Sequence, residues 1–599
     1  MFGARKGWCG LERQRLVRRV GWVCVTAAVL LAGGCRRHRK TTSAPNTAEY
    51  ASNLQALTAQ SQIPMLRWPN YSDYQGDVKT FYDDRNYEVA WTRDGKPTAA
   101  ASGFIEAFQG SEAKGLRPDD YDAGRWGERV AKLRGKDADA MAQFDATMTV
   151  NVMRFISDLR IGRVNPSHFN FAIDTQQKKY DLPEFVSDRA VDATDVAKLI
   201  TGVEPDSDEY RSTELALGQY LRLDQQQKAA GPLQELPTVT KALSVGERYP
   251  GAAALRSRLA LEGDTGSETA GDAGTGASVS PTSFDATLSE GVKSYQQRHG
   301  LSADGKLTAG TIKSLNVPMS ERVLQLESSL ERWRWLPDPY TKARLMVNLP
   351  EFVLRGYTPD GRLDFTMRVV VGKVVGEHKT PVFAHMMKYL IFRPFWNVPV
   401  DIVKKELVPH MQAKPGYLEA KNYEVTNNKG ELQTGYSLER VEHGGLLVRE
   451  KPGPTNSLGL VKFMFPNQYD IYLHSTPQTS LFERSRRDFS HGCVRVQRPE
   501  DLAAWVLQGQ DDKDGQPWDL EKVTDAMQNG QDNKQVNLKT PLPIVIFYLT
   551  AHVGDDGKVD FFDDLYGYDA EMQQVLEKGP PYPSKPEPVK TTTRPGDTA

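Results

Sequence analysis

The chain has few cysteines. It contains four in 599 residues, and three of these, Cys9, Cys24 and Cys35, lie within the first 35 residues. If that segment is an export signal, Cys493 is the one thiol left, and a single thiol cannot form an internal disulfide. This scarcity excludes a disulfide framework for the body of the protein. It leaves Cys493 as either a small buried hydrophobic residue or a reactive nucleophile.

The body of the chain also lacks an excess of positive charge. Residues 1–40 hold 10 Lys and Arg against one acidic residue, so the remainder carries 65 basic against 76 acidic residues, a balance of −11. An acidic body lacks the basic surface that nucleic acids require, so we expect no nucleic-acid partner. The overall 39% hydrophobic and 25% charged residues are typical of globular proteins, and the length indicates several domains.

The apolar run near the N-terminus, residues 20–31, is too short to span a bilayer comfortably. Basic residues precede it and Ala32-Gly33-Gly34-Cys35 follows, so residues 1–35 are predicted to be a signal peptide. Cys35 stands where a bacterial lipobox would carry its lipid. Because Arg36 and Arg37 follow at once, an uncleaved anchor stays open beside cleavage and lipidation. We therefore expect export, with membrane contact through this segment alone.

Composition and periodicity divide the rest of the chain. Apolar residues recur at helical spacing up to about residue 261, a Gly/Ser/Thr-rich stretch follows, and from about residue 344 the period changes to two. The prediction is an α+β multidomain protein with a helical scaffold, a small three-helix module and a β-rich domain. The predicted segments are 1–35 signal, 36–56 linker, 57–261 scaffold, 262–284 flexible linker, 285–318 three-helix module, 319–340 connecting helix, 341–517 β-rich domain, 518–572 C-terminal return to the scaffold and 573–599 disordered tail.

The β-rich domain contains a long excursion, residues 401–456. A long insertion in a sheet domain is usually functional, so this one is predicted to cap a site.

Cys493 needs a base, because a thiol with pKa ~8.5 is only a few per cent thiolate at neutral pH. His474 is the candidate base. On a predicted strand 469–474, alternation places Tyr472 and His474 on the same face. Gly492 permits a tight turn in which the amides of Gly492 and Cys493 can stabilise an oxyanion, with the Tyr472 hydroxyl as a further donor. The backbone carbonyl of Ser475 is the expected acceptor that orients the imidazole.

The run Ser490-His491-Gly492-Cys493-Val494-Arg495, with His474 upstream, resembles the signature of L,D-transpeptidases with a YkuD-type catalytic domain. Motifs along most of the chain resemble the large YcbB-like branch of that family. The run Gln296-Gln297-Arg298-His299-Gly300-Leu301-Ser302-Ala303-Asp304-Gly305 lies in the three-helix module and resembles a peptidoglycan-binding module. The resemblance implies a β-sandwich catalytic domain with a capping insertion.

The resemblance also implies an activity. In this family, cysteine attacks the carbonyl between the third residue and D-Ala of a donor stem peptide, D-Ala leaves, and the side-chain amine of a diaminopimelate resolves the thioester as a 3-3 cross-link. Carried over, Cys493 is the nucleophile and His474 the proton carrier. Arg495, Trp396 and Ser490 are expected at the substrate site, and His491 near it. Peptidoglycan stem peptides and glycan are the expected partners. We expect no cofactor, a monomer, and a periplasmic or cell-envelope location.

Three alternatives remain open. His474, His491 and Cys493 can be read as zinc ligands, since nitrogen and sulfur suit that metal. A non-catalytic peptidoglycan-binding envelope lipoprotein would keep the module and the anchor but would not need a His-paired thiol. A cysteine protease of another fold would also use Cys and His.

Overall fold

The structure is a computed structural model that describes residues 47–135, 137–264, 282–376 and 378–582. The predicted signal peptide, lipid attachment at Cys35 and the tail from residue 583 lie outside these residues. In the described part of the chain, no helix is both long and apolar enough to cross a membrane. The mixed α+β organisation that the sequence predicts is confirmed.

The N-terminal part is helical apart from one small hairpin. Its elements are α1 (Thr47–Thr58), α2 (Gln75–Asp84), β1 (Thr92–Arg93), β2 (Lys96–Pro97), α3 (Ala99–Gln109), α4 (Trp126–Lys132), α5 (Ala138–Ile161), α6 (Leu182–Phe185), α7 (Val196–Val203) and α8 (Asp208–Ala229). The Asp137 side chain caps α5 by accepting a hydrogen bond from the Ala140 amide. Helix α5 runs through the centre of the scaffold, where Phe155 packs edge-on against Phe108 and Tyr121 at ring-centroid distances of 5.3 and 4.9 Å.

The three-helix module comprises α9 (Ala252–Leu261), α10 (Ala286–Arg298) and α11 (Ala309–Leu315), which share one apolar core. The module is larger than the predicted 285–318, because Leu255 and Leu259 of α9 belong to the same core as Leu288 of α10. The ends of the predicted flexible linker are also packed. Asp264 forms an ion pair with Arg298, and Phe284 is fully buried. Residues 265–281 of that linker lie outside the described residues.

Helix α12 (Met319–Trp335), followed by the short α13 (Asp338–Thr341), connects the scaffold to the β-rich domain. Its Glu331 carboxylate is fully buried and accepts hydrogen bonds from the amides of Arg163 and Val164 and from the Arg163 guanidinium. Arg334 lies 3.6 Å from the same carboxylate. One buried carboxylate therefore fixes the chain after α5 against the connecting helix.

The remaining elements form the β-rich domain and its insertion. They are β3 (Leu345–Asn348), β4 (Val353–Tyr357), β5 (Leu363–Gly372), β6 (Phe383–Phe392), β7 (Trp396–Asn397), α14 (Val400–Ile402), α15 (Val408–Ala413), α16 (Tyr417–Ala420), β8 (Tyr423–Thr426), α17 (Leu438–Glu442), β9 (Leu447–Glu450), β10 (Val461–Met464), β11 (Leu473–His474), β12 (Asp488–Ser490), β13 (Val494–Val496), α18 (Pro499–Val506), α19 (Leu520–Gln528), β14 (Lys534–Phe547), β15 (Ala551–Val553), β16 (Val559–Phe561) and α20 (Tyr568–Leu576).

The main sheet has the strand order β12-β5-β13-β11-β10-β6-β14-β3-β4, and β4 also pairs with β5. This last pairing closes the sheet on itself around a shared apolar core. The insertion forms its own small unit, in which β7, β9 and β8 make a three-stranded sheet and the helices between them share a separate core.

The structure corrects three further boundaries. Helix α1 begins inside the predicted linker 36–56, because Tyr50 and Leu54 are buried in the scaffold. Strand β14 lies inside the main sheet, between β6 and β3, so the β-rich domain does not end at residue 517. Helix α20 continues past the predicted start of the tail at residue 573, and the Tyr582 hydroxyl donates to Asp120 Oδ2 at 3.3 Å.

Replacing Glu331 tests whether the connecting helix depends on this buried carboxylate. We predict that Glu331→Ala lowers the free energy of unfolding by about 3–5 kcal/mol, because the Arg163 cation and two amides lose their partner inside the protein. Denaturant unfolding measures this. Glu128→Ala, which removes an exposed pair with Lys132, is the control and should leave the midpoint unchanged. Equal effects of the two changes would contradict the stabilising role of the Glu331 carboxylate.

Candidate active site

Strand pairing places the predicted nucleophile and base on one face of the sheet. Strand β11 pairs with β13 in parallel, with Leu473 opposite Val494 and His474 opposite Arg495. Paired residues point to the same side and alternate along each strand. His474, Arg495 and the residues two places before each, Tyr472 and Cys493, therefore share one face. Cys493 and His474 are diagonal neighbours there, within reach of an aromatic side chain.

The turn that carries the nucleophile is held by a chain of hydrogen bonds to other parts of the protein. Gly492 has φ +124°, a conformation that favours glycine. Its carbonyl accepts a hydrogen bond from the Thr380 hydroxyl at 2.7 Å, and Thr380 in turn accepts from the Gly372 amide at 2.8 Å. The Tyr566 hydroxyl donates to the Gly372 carbonyl at 2.8 Å. These contacts connect the turn to the end of β5 and to the C-terminal segment.

Two residues predicted for the site are placed in this turn. The Gly492 amide donates to Ser490 Oγ at 3.1 Å, so in this conformation it is not available as an oxyanion donor. Ser490 is 2% exposed, and its hydroxyl serves the turn rather than a surface that a substrate can reach. In this conformation a local hydrogen bond joins the two groups, and the roles expected for Gly492 and Ser490 stay predictions.

The Cys493 thiol is partly accessible and lies 3.7 Å from the carbonyl oxygen of Asp470. The surrounding protein raises its pKa to about 11 because burial disfavours the thiolate. Hydrogen bonds from the Tyr472 amide and hydroxyl, and the charge of Lys462, act in the opposite direction. Burial and the Cys493 charge likewise raise the pKa of the Tyr472 hydroxyl. Cys493 is thus a neutral thiol at rest, with donors in place for its anion.

His474 is 4% exposed, and its Nδ1 lies 2.5 Å from the Ser475 carbonyl oxygen. A carbonyl can only accept, so Nδ1 carries the proton and Nε2 keeps its lone pair. Burial and then the charge of Arg495 lower the pKa of His474 to about 3, although the carbonyls of Ser475 and Leu458 favour the protonated ring. His474 is therefore a neutral base at pH 7.

Lys462 completes the same face, and the sequence alone gave it no role. It lies opposite His474 in the antiparallel pair of β10 and β11, and its Nζ is 5.5 Å from the centre of the Tyr472 ring. Burial lowers its pKa, and the charge of Cys493 raises it. The available signal was alternation, because a lysine between buried Val461 and Phe463 must face the side opposite to theirs.

Arg495 shares the strand face that carries the thiol, and Trp396 contacts that face through Tyr472. Arg495 Nη1 donates to the Gln478 side-chain oxygen at 2.7 Å. Trp396 begins the three-stranded sheet of the insertion, packs against the core of that insertion and donates a hydrogen bond to the Tyr472 hydroxyl. Trp396 therefore connects the capping insertion to the face that carries Cys493.

His491 points away from this face, toward the insertion. Its Nε2 lies 2.7 Å from Glu406 Oε1, and its ring packs edge-on against His378 at a centroid distance of 4.9 Å. Glu406 lies in a π-helical turn, residues Val403–Leu407, between α14 and α15. His491 thus contacts the cap rather than the thiol. In the described residues, no group of three or more His, Cys, Asp or Glu side chains is arranged to hold a metal ion.

The arrangement is suited to nucleophilic acyl transfer. A thiol, a neutral buried imidazole oriented by a carbonyl, and a tyrosine hydroxyl lie together on one face. The Cys493 amide donates no hydrogen bond to the described part of the chain, so it can serve a developing oxyanion.

Comparisons with known proteins agree with this class of site. Residues 342–523 match the family model YkuD, described as an L,D-transpeptidase catalytic domain. Residues 76–217 match a model described as a scaffold domain, and residues 264–315 match one described as "Putative peptidoglycan binding domain". Residues 342–523 are therefore similar to a YkuD L,D-transpeptidase catalytic domain, and residues 264–315 are similar to a peptidoglycan-binding domain.

Individual relatives cover part of the chain. A curated protein of Haemophilus influenzae (strain ATCC 51907 / DSM 11121 / KW20 / Rd), named "Putative L,D-transpeptidase", is 30% identical over 280 residues. The match covers 45% of this chain and 54% of that protein, about half of its length. A solved fused Zn-dependent amidase/peptidase/peptidoglycan-binding domain-containing protein from Clostridium acetobutylicum is 12% identical, with 51% of this chain and 99% of that chain covered and a TM-score of 0.14.

The protonation state of Cys493 is directly measurable. We predict that its alkylation by iodoacetamide, followed by peptide mass spectrometry, keeps accelerating through pH 10 without a plateau, because the thiol pKa is about 11. At a fixed pH near 9, Cys493 should be alkylated more slowly in Lys462→Met than in the wild-type protein, because the change removes a positive charge that stabilises the thiolate. Lys388→Met, at an exposed lysine on β6, is the control. A plateau below pH 7 would instead indicate a preformed thiolate.

Proposed function

We propose that this protein is a peptidoglycan L,D-transpeptidase that forms 3-3 cross-links through a Cys493 thioester. The donor is a tetrapeptide stem whose D-Ala is released, and the acceptor is the side-chain amine of a diaminopimelate on a second stem. The observation that carries the proposal is the shared sheet face of Cys493 and His474 within the matched catalytic domain. The match to a peptidoglycan-binding domain supports the same substrate.

The first step forms the thioester. Cys493 Sγ attacks the carbonyl carbon between the third residue and D-Ala while His474 Nε2 takes the thiol proton. Because thiol and imidazole are both neutral at rest, proton transfer accompanies the attack rather than preceding it. The resulting oxyanion accepts hydrogen bonds from the Cys493 amide and the Tyr472 hydroxyl. When the intermediate collapses, the C–N bond breaks and His474 returns the proton to the departing D-Ala amine.

The second step transfers the acyl group. The acceptor amine attacks the thioester carbon, and His474 takes a proton from that amine. The C–S bond then breaks, the sulfur regains a proton, and a new amide bond joins the two stems. No other reactant is required, because one amide bond is exchanged for another.

The proposal includes a location and a role for the other units. Peptidoglycan lies outside the cytoplasmic membrane, so the enzyme works in the periplasm or cell envelope, delivered by the predicted signal peptide or retained by its anchor or lipid. The three-helix module binds the wall, and the capping insertion covers the site through Trp396 and the contact between His491 and Glu406.

A non-catalytic wall-binding lipoprotein is the alternative function, and one assay separates the two. Purified protein is incubated with tetrapeptide muropeptides, and D-Ala and 3-3 linked dimers are measured. We predict that Cys493→Ala abolishes both products and that His474→Asn lowers kcat by about 10²–10⁴-fold, because proton transfer loses its carrier.

The control is His443→Asn, at an exposed histidine of the insertion, which should retain wild-type rates. Failure of the wild-type protein to release D-Ala, or full activity of Cys493→Ala, would contradict the proposed function.

A further inference from the structure

Three side chains form a transverse row across adjacent strands of the active-site face. Lys462 on β10 lies directly opposite His474 on β11, and His474 lies directly opposite Arg495 on β13. Paired residues on neighbouring strands point to the same side. The base is therefore flanked on both sides by a cation, on the surface where Cys493 also lies.

Within the described residues, no carboxylate acts on the pKa of Lys462 or of Arg495, and the one charge that raises each is that of Cys493, which is a neutral thiol at rest. Arg495 Nη1 bonds to the neutral amide oxygen of Gln478, and its buried Nε has no hydrogen-bond partner. Buried or half-buried charges are usually paired in proteins. Two unpaired cations beside a nucleophile therefore indicate an anionic ligand.

The proposed reaction places such an anion in reach of the row. His474 must return its proton to the amine of the leaving residue, so that amine lies against the imidazole. In a donor that ends at the fourth residue, the carboxylate is two bonds away from the same amine. A carboxylate this close to His474 lies between Lys462 and Arg495, the two residues that flank the imidazole.

We propose that Lys462 is a specificity-determining residue that, together with Arg495, binds the terminal carboxylate of the leaving D-Ala. This inference rests on the proposed function. It adds that the site recognises the terminal carboxylate of the donor stem. A donor with a fifth residue carries a neutral amide carbonyl at this position, so it cannot form the ion pair with Lys462 and Arg495. Lys462 thereby selects stems that end at the fourth residue.

The test compares two donors that differ only in this group, a tetrapeptide with a free terminal carboxylate and the same peptide with a terminal carboxamide. Release of D-alanine or D-alaninamide is measured as kcat/KM. For the wild-type protein we expect the free acid to be favoured by about 10–100-fold, the range of one charge-assisted contact. Lys462→Met should reduce that preference at least tenfold, and Lys462→Arg should retain most of it.

The ratio of the two donors isolates carboxylate binding, because any effect of Lys462 on the thiol or on folding lowers both rates by the same factor. Lys388→Met is the control and should keep the wild-type ratio. A wild-type ratio near one, or an unchanged ratio in Lys462→Met, overturns this inference while D-Ala release still supports the proposed function. Release of neither product by the wild-type protein contradicts both. The wild-type ratio needs no substitution, so it stands even if a variant fails to fold.

Discussion

The parallel pairing of two short strands is the contact on which the site depends. The Val494 amide donates to the Tyr472 carbonyl at 3.1 Å, and His474 lies opposite Arg495. Because the side-chain period of a strand is two, a slip of one residue would send either His474 or Cys493 to the other face of the sheet. Two neighbouring contacts stabilise that register. The Thr380 hydroxyl donates to the Gly492 carbonyl, and β10 pairs with β11.

Burial sets the chemistry of this face. Removing water raises the pKa of the Cys493 thiol to about 11 and lowers that of His474 to about 3, so the neutral pair is the resting state. The two flanking cations make an imidazolium still less favourable. The same cations and the Tyr472 hydroxyl stabilise negative charge on sulfur or on an oxyanion. The site thus resists ionisation at rest and favours it where charge develops during the reaction.

Much of this arrangement follows from local sequence rules, and the rest depends on distant contacts. The alternation of Tyr472 and His474 and the carbonyl neighbour Ser475 are local features, and the structure places both as expected. Lys462 could not be assigned, because its position depends on which strand lies beside β11. The hydrogen bond from the Gly492 amide to Ser490 could not be predicted either, because it depends on the turn geometry.

The domain boundaries show the same division. The change of periodicity at about residue 344 located the β-rich domain, but the placement of β14 between β6 and β3 is a matter of topology. Similarly, helix α9 belongs to the three-helix module through a shared core rather than through a motif. Local patterns therefore predict elements, while their partners require the folded chain.

The most direct test of the account is the protonation of His474 in the resting protein. Nitrogen NMR of protein labelled at histidine, with His474→Asn used to identify its signals, distinguishes a neutral ring protonated at Nδ1 from a doubly protonated ring. The account predicts the neutral Nδ1–H form throughout pH 5 to 8, both in the wild-type protein and in Cys493→Ala. A doubly protonated ring at pH 7 that becomes neutral when Cys493 is removed would contradict it.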